Sequence, residues 1–145
     1  MNAALAKLRE TPKGRDLLAI LENPESKKVH IIKESKEGNF SRPADPLDAC
    51  RKGVGTGSVI RWNPGNLTGG KDEQGSDKRP PFIGLAHELG HSAAYEKGEH
   101  IGGRKGEQLM PGTKTPYNEK SSMQWENDIR QDQNPKIPKR PNYFE

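Results

Sequence analysis

Apolar residues recur with the period of an α-helix in three parts of the chain. Residues 3–10 and 14–21 carry leucine and isoleucine side chains, with a proline between the two stretches, which predicts two short consecutive helices. The densest apolar stretch, 82–94, follows two prolines and precedes Gly98, so it predicts a central and mostly buried helix. A last helix is expected over 117–131.

Two shorter stretches have the composition of β-strands. Residues 28–33 are rich in β-branched side chains, and residues 58–62 alternate between apolar and polar. The second strand is expected either to lie covered or to offer an exposed edge to a substrate peptide. The polar stretch 34–52 predicts a loop, and the glycine-rich stretch 68–79 predicts a flexible one. The expected fold class is α+β, with a small sheet or hairpin packed on the central helix and flanked by helices.

The composition favours one domain over residues 1–145, with an extended, proline-rich tail over 133–145. Only 29% of the residues are hydrophobic and 30% are charged, with 12 prolines and 16 glycines. The core must therefore be small, and a bound metal could contribute to folding. The single cysteine, Cys50, excludes an intrachain disulfide and is expected to be a small buried residue.

The charge pattern and the lack of long apolar runs argue against two kinds of partner. The net charge of +4 comes from 24 basic and 20 acidic residues scattered along the chain, without the basic and aromatic clusters of a nucleic-acid groove. No apolar run approaches the ~20 residues of a membrane helix, and the N-terminal residues lack the apolar core of a secretory signal peptide. We expect no nucleic acid, no membrane span and no cleaved signal.

The segment His87-Glu88-Leu89-Gly90-His91 lies within the predicted central helix. Its histidines are four residues apart, so both imidazoles project from one face and can bind the same ion. Glu88 is displaced around the helix, where its carboxylate can act on a water as general base and then as acid. Burying two histidines and a glutamate in an apolar helix is costly unless a metal or hydrogen bonds satisfy them. A purely structural histidine pair is the alternative.

Zinc is the ion that this motif favours. Zn²⁺ binds imidazole at about 2.0–2.1 Å, and in catalytic sites it keeps a position for water, whose pKa it lowers to about 7. Peptide-bond hydrolysis is the natural reaction, with Glu88 passing the proton to the leaving amine. His30, in the first predicted strand, is expected to lie outside any site.

The spacing alone does not identify the third metal ligand. A third histidine six residues after the second is excluded, because Lys97 occupies that position. His100, beyond the predicted helix end, is either a ligand or a solvated loop residue. Glu119 and Glu126 share a face of the last helix and offer a two-histidine, one-glutamate site. Glu126 could instead hydrogen-bond a ligand histidine, and both glutamates could be solvated charges.

Six segments carry a resemblance to a known family: Thr11 to Leu18, Gly57 to Ile60, Leu85 to Ser92, Asn118-Glu119, Glu126-Asn127 with Arg130, and Lys139 to Tyr143. Together they resemble the NleD-type effector zinc metalloproteases, a family that also occurs as C-terminal toxin domains of secreted bacterial proteins. The resemblance implies a minimal zincin-like, gluzincin-like fold. It places zinc on His87, His91 and Glu119, with Glu88 as catalytic base. Tyr143 matches a family tyrosine that could donate to the oxyanion, packing being the alternative.

The expected function is a zinc-dependent endopeptidase that acts as a bacterial effector or toxin. By resemblance, it would be secreted through a bacterial secretion system and cleave a protein in the cytoplasm or periplasm of a target cell. The expected partners are a protein or peptide substrate and a cognate immunity or inhibitor protein. A zinc-dependent cell-wall amidase or peptidase is one alternative. A non-catalytic interaction module stabilised by zinc is another, although Cys50 is a poor fourth ligand for it.

Overall fold

The computed structural model describes residues 2–145 and confirms the α+β class. Within these residues, a three-stranded sheet and four further α-helices surround the predicted central helix. The helices are α1 (Asn2–Arg9), α2 (Pro12–Leu21), α3 (Pro81–Lys97), α4 (Gly103–Glu107) and α5 (Lys120–Asp132), and the strands are β1 (His30–Glu34), β2 (Phe40–Pro43) and β3 (Ser58–Trp62). No helix in this part of the chain is long and apolar enough to span a membrane.

The sheet has the strand order β1-β3-β2, with β1 parallel and β2 antiparallel to β3. The prediction of an uninterrupted loop over 34–52 is wrong, because β2 lies within it. This strand has only four residues and ends in a proline, so pairing with β3 defines it more than its own propensity does. Of the two alternatives for β3, the covered strand is confirmed and the exposed edge is wrong, since both sides of that strand are paired.

Helix α3 forms the centre of the core, as its apolar pattern predicts. Ile83, Leu85 and Leu89 are buried against side chains of α1 and α2, such as Leu8 and Leu17. The helix ends where Gly98 takes a left-handed conformation with φ of 71°. A Cβ at that position would lie 1.8 Å from the carbonyl oxygen of Arg51, so only glycine fits this helix end.

Helix α5 packs closely against α3 at Gly90. A Cβ on Gly90 would lie 3.0 Å from the Cα of Ser122, so the missing side chain allows the two helices to approach. The predicted last helix over 117–131 is present but begins with a 3₁₀ turn, Tyr117–Glu119, before α5. The change of helical pitch at Glu119 alters which side chains of this segment face α3.

The last residues, 133–145, contain no helix or strand and lie against the folded core. The Arg140 side chain is buried, and its backbone N–H donates to Asn127 Oδ1 at 2.7 Å. The prediction that Cys50 is buried is wrong, because the thiol is exposed on the 3₁₀ turn Asp48–Cys50. In that short turn it is the neighbouring Ala49 that points into the core.

Candidate metal centre

Two histidines of α3 and one glutamate from the start of the last helical segment meet at a single point. His87 Nε2 lies 2.7 Å and His91 Nε2 lies 3.0 Å from the same oxygen, Oε1 of Glu119. One ligand atom from each of these residues falls within 4.8 Å of the others. The one-turn separation of the histidines on α3 produces this arrangement, because it points both imidazoles toward the 3₁₀ turn that carries Glu119.

The donor set fits a zinc ion. Two imidazole nitrogens and one carboxylate oxygen are the protein ligands of many catalytic zinc sites, which leave a fourth position open. With bonds of about 2.0–2.1 Å in a tetrahedral arrangement, ligand atoms lie roughly 3.3 Å apart. The two distances from Glu119 Oε1 to the histidine nitrogens, 2.7 Å and 3.0 Å, need to lengthen by only a few tenths of an ångström to reach that spacing.

Glu126 lies behind the site and accepts a hydrogen bond from the other nitrogen of His87. The distance between His87 Nδ1 and Glu126 Oε1 is 2.8 Å, and the Glu126 side chain is fully buried. This bond keeps the proton of the neutral imidazole on Nδ1, so that Nε2 is the nitrogen available to a metal. The structure thus separates the two candidate glutamates: Glu119 faces the ligand nitrogens, whereas Glu126 supports His87 from the opposite side.

Three arginines surround the Glu126 carboxylate. Arg79 Nη1 and Arg140 Nη1 lie 3.3 Å and 3.2 Å from Oε1, and Arg130 Nε lies 2.9 Å from Oε2. Burial raises the pKa of Glu126, but the hydrogen bond from His87 and the nearby arginines lower it well below its ordinary value. Burial lowers the pKa of Arg79. Glu126 is therefore an anion that compensates several buried positive charges.

Glu88 lines the cleft beside the candidate metal ligands. It is buried, it lines the same cavities as His87 and His91, and within residues 2–145 its carboxylate has no hydrogen-bond partner. Tyr143 lines the same two cavities, with its ring centroid 5.8 Å from that of His87. The backbone N–H of Tyr143 donates to Thr115 Oγ1 at 3.0 Å, which fixes the tail at this position.

The family model Peptidase_M91, described as an effector protein, matches residues 1–143. The chain belongs to this family. Peptidase_M91 is a metallopeptidase family, and the match includes every residue of the candidate site, from Arg79 to Tyr143. The expected resemblance to effector proteases is thus confirmed at the level of the family. The sequence matches none of the curated proteins with which it was compared.

The charges of this Peptidase_M91 site depend strongly on one another. Burial lowers the pKa of His87, but hydrogen bonds to Glu119 and Glu126 outweigh this and raise it to about 9. Burial raises the pKa of Glu119, but the two histidines outweigh this and lower it to about 2. For Tyr143, burial and the charges of Glu119 and Glu88 raise the pKa. Without a metal, positive charge on His87 therefore compensates the carboxylates that a metal would otherwise neutralise.

The other two histidines of this Peptidase_M91 chain do not join the cluster of His87, His91 and Glu119. His100 packs edge-on against Tyr95, with ring centroids 5.0 Å apart, and lines both the cavity of Glu88 and Glu119 and a neighbouring one. His30 Nδ1 lies 2.7 Å from Ser58 Oγ, and its Nε2 lies 3.1 Å from Glu96 Oε1. These contacts connect β1 with β3 and α3, and His30 is not among the residues whose ligand atoms converge.

The sequence interpretation missed the arginines around Glu126. Arg130 lies four residues after Glu126 on α5, so its spacing was a usable sign of an ion pair. Arg79 comes from the loop before α3 and Arg140 from the tail. Neither has a local pattern that connects it with Glu126, because only the tertiary fold brings these segments together.

Proposed function

We propose that this chain is a zinc-dependent endopeptidase with a minimal zincin-like fold, formed by a single domain over residues 1–145. The observation that carries the proposal is the convergence of His87, His91 and Glu119 beside the carboxylate of Glu88. Membership of a metallopeptidase family of effectors supports the same conclusion. In this proposal Glu126 positions His87, and Tyr143 borders the cleft.

The site's own residues account for the handling of protons. A bound zinc ion would polarise the scissile carbonyl group and make a water molecule more acidic. Glu88 would accept the proton of the attacking water and transfer it to the leaving amine, since its carboxylate faces the cleft and is not held by another side chain. Tyr143 would donate a hydrogen bond to the developing oxyanion, since it lines the same cavity as Glu88 and a phenol is protonated at neutral pH.

The form of the cleft favours an extended protein segment as substrate. The cavity that contains Glu88 and His91 shares the lining residues Asn39 and Tyr143 with a polar cavity beside His87, and it shares His100 with a third cavity. A chain that crosses the metal site can therefore contact the enzyme on both sides of the scissile bond. As an effector, the protein would be secreted, act on a protein of the target cell, and bind a cognate inhibitor over this cleft.

Replacement of Glu88 tests the catalytic proposal. The Glu88→Gln variant should bind one zinc ion and unfold at the same temperature as the wild type. It should cleave target-cell proteins about 10²–10⁴-fold more slowly. Zinc content, thermal unfolding and the appearance of new protein N-termini in a target-cell lysate provide the measurements. Glu107→Gln, an exposed glutamate on α4, is the matched control and should cleave normally. Full activity in a zinc-loaded Glu88→Gln variant would contradict the mechanism.

A further inference from the structure

An apolar cavity adjoins the candidate metal centre on the side of His91. It has a volume of about 410 Å³ and lies between the C-terminal half of α3 and the start of α5. His91, His100 and Asn118 line both this cavity and the one that contains Glu88 and Glu119. A polypeptide that crosses the metal site can therefore place one of its side chains in this apolar cavity.

The apolar cavity has a lining that suits an uncharged side chain. Ala94, Ile101, Tyr117 and Trp125 supply its apolar surface, and Ile101 remains 36% exposed. The charged groups at its border balance one another. They are the basic residues Lys13 and Lys120 and the acidic residues Glu99 and Asp128. The cavity therefore offers burial of apolar surface without favouring either sign of charge.

We propose that the apolar cavity binds a bulky apolar side chain of the substrate close to the scissile bond, and so determines the sequence preference of the peptidase. This inference rests on the proposed function. A volume of about 410 Å³ falls within the usual range for binding pockets, roughly 300–1,000 Å³, and is large enough for an aliphatic or aromatic side chain. The rings of Tyr117 and Trp125 would add edge or offset contacts with an aromatic side chain.

A substitution that fills the apolar cavity tests the proposal. Ser121 is an exposed residue of α5 on the cavity wall, so Ser121→Phe would occupy the space without disturbing the core. Ala19, an exposed residue of α2 outside the cavity, provides the matched control Ala19→Phe. The zinc-loaded enzymes are first given a peptide library prepared from a target-cell proteome. Cleavage is then compared for synthetic peptides that differ only in carrying Leu, Phe or Ala at the position that the library identifies.

The wild-type enzyme and Ala19→Phe should cleave the Leu or Phe peptide about 10–100-fold more efficiently than the Ala peptide, as judged by kcat/KM. In Ser121→Phe this ratio should fall toward one, while the Ala peptide is cleaved within about threefold of the wild-type rate. The inference is overturned if the library shows no apolar preference near the cleaved bond. An unchanged ratio in Ser121→Phe also overturns it.

Ligand binding to the inactive variant separates this inference from the proposed function. Zinc-loaded Glu88→Gln protein is titrated with N-acetyl-leucinamide and N-acetyl-alaninamide, with the Trp125 indole followed by NMR. The leucine compound should shift the indole signal at concentrations at least about tenfold lower than the alanine compound, and Ser121→Phe should abolish the effect. Equal responses to the two compounds would refute the binding preference. Absence of cleavage by the zinc-loaded wild type, with selective binding retained, would instead refute the proposed peptidase activity.

Discussion

Replacing Glu126 by glutamine removes one charge from the most densely charged buried part of the molecule. The carboxylate is fully buried and contacts His87, Arg79, Arg130 and Arg140 at 2.8–3.3 Å. Glutamine has almost the same size, so it creates no cavity, but it leaves three guanidinium groups without their shared counter-charge. Removal of one partner from a buried ion pair typically costs about 3–5 kcal/mol.

We therefore expect Glu126→Gln to lower the free energy of unfolding of the metal-free protein by about 3–5 kcal/mol. That is a large part of the roughly 5–15 kcal/mol of a typical domain, and corresponds to a decrease of about 6–20 °C in Tm. Because Glu126 also orients His87, zinc affinity should fall about 10–100-fold. Urea denaturation in the presence of a chelator measures the first quantity, and competition with a chromophoric chelator measures the second.

Glu119→Gln provides the comparison, since it changes the other glutamate that contacts His87. It should weaken zinc binding more than Glu126→Gln does, because a ligand is altered, but destabilise the metal-free protein less, because its partners are two histidines at a less buried position. The reasoning is refuted if Glu126→Gln unfolds within about 1 kcal/mol of the wild type and binds zinc equally well.

Three further predictions concern proton release, the cleft and the end of α3. Because the pKa of His87 is raised to about 9 in the metal-free protein, His87 is protonated at pH 7 and zinc must displace about one proton. Apparent zinc affinity should then rise by up to about tenfold per pH unit and level off near pH 9, which a series of zinc titrations at different pH values measures. Titration calorimetry in buffers of different ionisation enthalpy counts the protons that are released. Tyr143→Phe should lower kcat about 10²-fold with little change in unfolding temperature. Gly98→Ala should lower the free energy of unfolding by at least about 1–3 kcal/mol, since φ is 71° there.

Each of these three predictions has a result that contradicts it. Zinc binding with no proton release at pH 7 would mean that His87 is neutral in the metal-free protein. Normal kcat in Tyr143→Phe would leave this tyrosine with a packing role only. Wild-type stability of Gly98→Ala, measured beside Gly38→Ala in a loop with open space around it, would contradict the steric argument.

The elements defined by local sequence were predicted well. The central helix was expected from its apolar run, its leading prolines and Gly98, and it spans Pro81–Lys97. The strand 58–62 was expected with the same bounds, because its alternating pattern is continuous and glycine and asparagine flank it. In such segments periodicity, helix ends and turn residues all favour the same structure.

The features that depend on distant segments were not predicted. Strand β2 lacks a pattern of its own, and without it the central position of β3 could not be inferred. Glu119 and Glu126 appeared equivalent on a continuous helix, whereas the 3₁₀ turn before α5 directs them to opposite nitrogens of His87. The family resemblance placed the metal ligand at Glu119, and local spacing left the choice open.

The packing of α5 against Gly90 restricts the metal-binding motif itself. Gly90 directly precedes the second histidine, at a position that the general motif leaves free, yet here a methyl group would press on the backbone of Ser122. A larger residue would push α5 outward, and with it the two carboxylates that meet His87. Among sequences that share this fold, the pattern His-Glu-x-Gly-His should therefore distinguish chains that can complete the site from those that carry only the two histidines.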